Sequence, residues 1–389
     1  MKKLTLHDIE LQDKRALMRV DFNVPLDAAG KITDTTRIDN ALPSIEYVLK
    51  QGATLVLMSH LGRPKGERNE AFSLKPCAEY LASKIGLDVA LAPDCIDVET
   101  SGTITLLENL RFHKEEEEGS LDFAKKLAVH GDLFINDAFG TAHRKHASTY
   151  TIASLFPGVS AAGFLLEKEV SQLSTLTSSP KRPFYTIIGG AKVGSKLGVL
   201  TSLIERVDSI FIGGGMAFTF LKAQGYAIGS SLVDVNFVPK AEAFMNACEE
   251  KAIKVYLPKD IVIASSIDEK SEQKTIHTKD GIPDGFSGVD IGEETQREWS
   301  DILSTGATIF WNGPLGVTEI EQFSKGTKAI AESMAKIDGT TIVGGGDSVA
   351  AIKTLGLNKN FTHISTGGGA SLEFIEYGHL PAIDALSNR

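Results

Sequence analysis

The sequence predicts two α/β domains, each a parallel sheet covered by helices on both faces. Three observations predict it. Short apolar runs alternate with helical patterns along the whole chain, an order that builds parallel sheets. A helical pattern over Leu165–Thr177 ends in Ser178-Ser179-Pro180-Lys181-Arg182-Pro183, where the prolines stop it and divide the chain into halves. Glycine usage also differs between the halves. Of 37 glycines, those before residue 186 are all isolated, whereas the second half holds Gly189-Gly190, Gly213-Gly214-Gly215, Gly344-Gly345-Gly346 and Gly367-Gly368-Gly369.

In the first half, apolar runs place strands at Ala16–Val20, Thr54–Met58, Thr103–Leu107 and Leu133–Ile135. Helical periodicity falls between them near Arg37–Lys50, Leu74–Ile85 and Leu121–Val129. In the second half the strands are Phe184–Ile188, Ser209–Ile212, Ile261–Ala264, Thr308–Trp311, Thr341–Val343 and His363–Ser365. Helices are expected near Ser195–Glu205, Met216–Ala223, Val238–Lys251, Ser324–Lys336 and Ser348–Leu355.

The 389 residues, 42% apolar and 23% charged, suit two or three folded domains and exclude a mainly disordered or collagen-like chain. A formal charge of −10 argues against broad binding to nucleic acid or anionic membranes, which need basic surface. The longest apolar stretches are strand-sized, too short to span a bilayer. The opening Met1-Lys2-Lys3-Leu4-Thr5-Leu6-His7-Asp8 turns polar too soon for a signal-peptide core. Cys77, Cys95 and Cys248 are odd in number and far apart, which argues against a disulfide framework or Cys-rich zinc site. A cytoplasmic protein is expected.

In open parallel sheets, ligands bind beyond the carboxyl ends of the strands. Glycines there admit a phosphate to the backbone, and the next helix offers free N–H groups. A single glycine cluster reads as a tight turn, but four in one half would line one edge of one sheet. The usual fingerprints are missing. Gly189–Lys196 reads G-x-x-x-x-G-S-K rather than a P-loop, and no G-x-G-x-x-G occurs. Lys192 and Lys196, four apart at an expected helix opening, are either solvated or hold a polyphosphate, since cations oppose the dipole there. Asp347 follows three glycines and is either a helix cap or a Mg²⁺ ligand.

The first half carries cations at strand ends. Asp21-Phe22-Asn23-Val24-Pro25, Ser59-His60-Leu61-Gly62-Arg63-Pro64, Glu108-Asn109-Leu110-Arg111-Phe112 and Asn136 to Arg144 each follow an apolar strand, and Arg37 opens a helix. Four arginines and the histidines His60 and His143 from separate strand ends describe a pocket for carboxylate and phosphate, which guanidinium grips in bidentate fashion. The run Glu115–Glu118 reads as a solvated helix approach rather than a metal site, because like charges repel. Trp311 reads as core before the loop Asn312-Gly313-Pro314 at another strand end; Glu319 lies just beyond that loop, and a ribose-binding role for it does not follow from spacing.

These segments resemble the phosphoglycerate kinase family, in family order and over essentially the whole chain. Gly140-Thr141-Ala142-His143-Arg144, Gly189-Gly190-Ala191-Lys192-Val193, Gly213-Gly214-Gly215-Met216-Ala217 and Thr366-Gly367-Gly368-Gly369-Ala370-Ser371 carry the likeness along with the motifs above. The resemblance implies two Rossmann-like three-layer domains joined by a helical hinge. Residues 1–168, with 370–389 returning to them, would bind 3-phosphoglycerate or 1,3-bisphosphoglycerate; residues 169–369 would bind ATP or ADP with Mg²⁺. It implies reversible phosphoryl transfer between 1,3-bisphosphoglycerate and MgADP, with hinge closure, by a monomer.

By motif, Asp21, Phe22, Asn23, Arg37, His60, Leu61, Gly62, Arg63, Arg111 and Arg144 would hold the glycerate ligand. Lys196, Gly213, Gly214, Asn312, Glu319, Gly345, Gly346, Asp347 and Ser348 would serve the nucleotide, with Asp347 on the metal. Arg37, Lys192, Lys196 and Gly346 would act on the transferring phosphoryl group. Val317-Thr318 replaces the frequent aromatic before the acid at Glu319, and Ser348 stands where Thr is common. A transfer dominated by positioning and cations, with a carboxylate leaving group, needs no strong base. A dehydrogenase or a non-catalytic nucleotide binder are the rival readings; the missing dinucleotide fingerprint and the paired presence of Arg37 and Lys192 argue against them.

Overall fold

The computed structural model describes residues 2–389. The described residues of Met1–Ser171 join His379–Arg389 in one compact unit, and Gln172–Gly378 forms the other. Each unit is built on a six-stranded parallel sheet.

The first sheet runs Ala90–Leu91, Ile104–Leu106, Thr54–Met58, Arg15–Val20, Leu133–Asp137, Ser160–Ala162. Its central strands are buried on both faces, as a helix-covered parallel sheet requires. Ile38, Ala41, Ile45 and Val48 recur at helical spacing on Thr36–Lys50 and sink that helix into the core with Ala16, Met18 and Val20. From Arg15–Val20 the chain first builds outward through Thr54–Met58 and later returns to Leu133–Asp137 on the other side. That reversal makes a crevice at the carboxyl ends of these strands. The C-terminal residues tie into this unit, where Leu4 N donates to Ser387 O at 2.9 Å and Ala382 N to Ala142 O at 3.1 Å.

The second sheet runs His363–Ile364, Thr340–Gly344, Thr308–Asn312, Phe184–Ile188, Ser209–Ile212, Lys254–Tyr256. Its reversal falls between Phe184–Ile188 and Thr308–Asn312, and the loops leaving these two strands are stitched together. Gly189 N donates to Asn312 O at 2.9 Å and Gly190 N to Pro314 O at 2.8 Å.

Three expectations shift. Ile261–Ala264 is no member of the parallel sheet; Asp260–Ala264 pairs antiparallel with Gln273–His277 and Ser287–Ile291 in a separate three-stranded sheet. Gln273–His277 is almost wholly exposed, so no apolar run marks its presence. The helix after Phe184–Ile188 begins only at Leu197, so Lys192 lies in the preceding loop, not on a first turn shared with Lys196. Finally, the helix Gly369–Tyr377 packs in the second unit against Leu197–Leu203, and the return to the first unit starts at His379, past that helix.

Candidate active site

In the first unit, Asp21, Asn23, Arg37, His60, Gly62, Arg63, Arg111 and Arg144 line one cavity of about 190 Å³, together with Gly140 and Thr141. They arrive from four strand ends and one helix start. Arg37, in the first turn of Thr36–Lys50, is ion-paired with Asp21. Asn23 Oδ1 accepts from Gly62 N at 2.9 Å, and Arg111 Nη1 donates to Gly62 O at 3.0 Å. Gly62 has φ 64°, and a Cβ there would stand 2.4 Å from the Phe72 ring, so this junction demands glycine. Arg111 is delivered by a brace. Glu108 accepts from Leu74 N and Asn109 N, both at 2.8 Å; Asn109 then donates to Leu61 O at 2.7 Å and accepts from Arg111 N at 3.0 Å.

Phe22 and Leu61 do not line the cavity. Both are buried, and both belong to the hydrophobic core, since an apolar side chain after each strand is drawn inward while its polar neighbours face the crevice.

One member of the glutamate run departs from its solvated reading, while Glu117 and Glu118 stay exposed. Glu116 is fully buried, accepting from Ser148 N at 3.0 Å and Ser148 Oγ at 2.6 Å, while Glu117 lies 3.3 Å from Arg111 Nε. Ser148 Oγ accepts from Arg19 Nε at 2.9 Å, and Arg19 Nη2 stands 3.1 Å from His60 Nδ1. Arg19 sits inside the expected strand Ala16–Val20, and sequence reasoning passed over it, though a charge in a central parallel strand is a signal in itself because both faces are buried.

Burial and then the neighbouring arginines push the imidazoles down. His60 lies well below its usual value, by burial and Arg19; His143 falls to about 4, by burial and Arg144; and His146 to about 3, by burial and Arg111. The cavity's charge at neutral pH therefore rests on arginines, with His60 a neutral donor or acceptor.

In the second unit the glycine clusters do meet along one sheet edge. Lys196 Nζ donates to Asn312 Oδ1 at 2.6 Å and Asn312 O at 3.1 Å; Gly313 N donates to Ser348 Oγ at 2.8 Å. Asn312 Nδ2, beside Gly344 and Gly345, is buried without a hydrogen-bond partner. Burial lowers Lys196 to about 8 although Asp347 pulls the other way. Gly214 has φ 64°, and a Cβ on it would come within 2.6 Å of Gly190 N and Pro314 O, which is why the two loops close only over glycine.

Beside this edge lies a cavity of about 470 Å³, lined by Gly214, Glu319 and Asp347 with apolar Phe218, Leu232 and Leu315. Gly213, Asn312, Gly345, Gly346 and Ser348 are not among its lining residues. Gly346 and Asp347 are exposed in the first turn of Gly346–Thr354, whose cap is Gly345, and Lys192 is exposed. The larger cavity is in the range of about 300–1,000 Å³ that holds drug-sized molecules, and the first is well below it.

Arginines and glycine loops gathered at the carboxyl ends of two parallel sheets are the features of a phosphoryl-transfer enzyme. The comparisons narrow this. The family model for phosphoglycerate kinase matches residues 6–378. The phosphoglycerate kinase of Moorella thermoacetica is 50% identical over 100% of both chains, and that of Borrelia hermsii 51% identical over 98% of each. The solved phosphoglycerate kinase of Coxiella burnetii superposes with a TM-score of 0.88 at 39% identity over 98% of each chain; that of Pyrococcus horikoshii gives 0.82 at 31% over 98% of each. The chain belongs to the phosphoglycerate kinase family and is thus a glycolytic kinase, transferring phosphate to a carboxyl group of 3-phosphoglycerate.

Proposed function

We propose that the arginine-lined cavity of the first unit holds 3-phosphoglycerate or 1,3-bisphosphoglycerate, and that the glycine edge of the second holds ATP or ADP. The convergence of Arg37, Arg63, Arg111 and Arg144 on one small cavity carries this reading, because guanidinium forks pair with both the carboxylate and the phosphate of such a ligand. The size order agrees, the larger and more apolar cavity lying on the nucleotide side.

On this reading Arg63, Arg111 and Arg144 bind and orient the anion, and Asn23 and Asp21 hold the loop and Arg37 in place. Arg37 and Lys192 cover the transferring phosphoryl oxygens, whose charge is spread in a loose transition state. Lys196 and the backbone at Gly213, Gly214, Gly345 and Gly346 bind nucleotide phosphates; Asn312 positions Lys196, Ser348 braces Gly313, and Glu319 takes the ribose. Asp347 suits Mg²⁺, being an exposed carboxylate beside a glycine loop at a helix start, and Mg²⁺ characteristically takes one or two carboxylates plus phosphates and waters. Held there, Mg²⁺ would supply neutralisation of phosphate charge. Donor and acceptor bind to separate units, so transfer requires hinge closure about the helix Phe164–Ser178. A cytoplasmic monomer completes the proposal; among the described residues no helix is long and apolar enough to cross a membrane.

A coupled assay of ATP-dependent phosphorylation of 3-phosphoglycerate tests the whole. Mg²⁺-dependent turnover is expected, with KM for 3-phosphoglycerate raised in Arg63→Ala and KM for ATP raised in Lys196→Ala. Loss of ATP affinity in the first variant, or of 3-phosphoglycerate affinity in the second, would overturn the assignment of ligands to units.

A further inference from the structure

Arg19 is wholly buried on the strand Arg15–Val20, facing away from the core that receives Ala16, Met18 and Val20. Its guanidinium reaches three groups: Ser148 Oγ at 2.9 Å, the carbonyl oxygen of Val20, and His60 Nδ1 at 3.1 Å. An arginine can only donate. His60 Nδ1 must therefore accept, and a neutral imidazole then carries its proton on Nε2. We infer that Arg19 is a positioning residue that fixes His60 as the Nε2–H tautomer, so that the ring presents a donor, not an acceptor, to the anion in the arginine-lined cavity.

The rest of the network fits this role. A buried guanidinium needs a counter-charge, and Glu116 supplies it through Ser148, whose hydroxyl accepts from Arg19 and donates to Glu116 at 2.6 Å. Burial first, and then Arg19, Arg111, Arg37 and His146, the charged or titratable groups acting on His60, keep the ring neutral. A neutral ring free to choose its tautomer would often meet a carboxylate or phosphate oxygen with a lone pair. With Nδ1 occupied by a donor that cannot reverse, the cavity is organised for an anion before one arrives. The sequence separations, 129 residues from Arg19 to Ser148 and 41 from Arg19 to His60, show that only the folded chain makes this device.

The inference rests on the cavity being the 3-phosphoglycerate site, and the experiment separates the two. Protein labelled with ¹⁵N-histidine distinguishes a protonated from an unprotonated ring nitrogen, with His60→Gln assigning the signal. The ligand-free wild type should show His60 protonated at Nε2 and unprotonated at Nδ1. A proton on Nδ1 overturns the inference whatever the variants do. The double variant Arg19→Met with Glu116→Gln removes the donor without stranding a charge; it should populate the Nδ1–H form and weaken 3-phosphoglycerate binding by about tenfold, the scale of one lost hydrogen bond to a charged group. An unchanged His60 spectrum in the folded double variant overturns the inference. Unchanged 3-phosphoglycerate affinity in Arg144→Ala would overturn the cavity assignment while the tautomer result stood.

Discussion

Lys196 donates its ammonium to both the side-chain and the backbone oxygen of Asn312, at 2.6 and 3.1 Å, across 116 residues of chain. Those two neutral acceptors do not offset burial, and the group falls to about 8. A nucleotide phosphate beside it would raise that value again, so binding takes up a proton near pH 8. ADP affinity should be level below pH 8 and fall by up to about tenfold per pH unit above it. Calorimetry in two buffers of different ionisation enthalpy reads the proton directly; no uptake at pH 8 would show that Lys196 does not meet phosphate.

Arg37 pairs with Asp21, and on the proposed mechanism exchanges some of that contact for phosphoryl oxygens. Arg37→Ala should lower kcat by about 10²-fold or more, below the about 10³–10⁵ of a lone catalytic arginine because Lys192 shares the work. Binary ATP affinity should stay within about twofold, since the contact exists only in the ternary complex. Lysine should rescue poorly, lacking the planar fork. Steady-state kinetics beside ATP titration separates these effects, and an equal loss in both would remove Arg37 from the transfer step.

His146, driven to about 3 by burial and by Arg111, binds its proton more readily in the unfolded chain. Between its unfolded value of about 6.5 and about 3, stability is therefore lost as pH falls. Compared with His146→Gln, the wild type should lose roughly 1–2 kcal/mol more between pH 7 and pH 5. Asp137 and Asp290, raised to about 6 and about 7 by burial, act in the opposite sense in both proteins and cancel in the comparison. Urea midpoints of the two proteins at both pH values provide the measurement; parallel losses would mean His146 titrates normally.

Asp347 is exposed at a helix start whose cap position is a glycine, which leaves its carboxylate for other work. Asp347→Ala should weaken ADP binding about tenfold or more with Mg²⁺ present and little without it, as expected for one of the one or two carboxylates that hold this ion. Paired ADP titrations with and without magnesium decide, and equal losses would make Asp347 a general nucleotide contact.

The cationic cavity is legible in the sequence because its components are local. Strand periodicity locates each carboxyl end, and the residue types at those ends, Arg63, Arg111 and Arg144 among them, state the chemistry. The same holds for the glycine clusters, whose unusual backbone needs are written in single residues. Phe22 and Leu61 depart from their motifs for an instructive reason: adjacency in a motif does not say which way a side chain turns, and hydrophobic burial turns these two inward.

What the sequence by itself determined, then, is the strand–helix alternation, the division in two and the cationic or glycine-rich character of the strand ends, all properties of short windows. Tertiary structure alone decided that Glu116 is buried rather than solvated, that Asp260–Ala264 pairs antiparallel, and that Arg19 bonds to His60. Each of these depends on a partner far along the chain, Ser148 for Glu116, Ser287–Ile291 for the strand and His60 for Arg19. The physical reason is desolvation. Whether a charged or polar group can leave water depends on which partner the fold brings to meet it, and no window of sequence contains both members of such a pair.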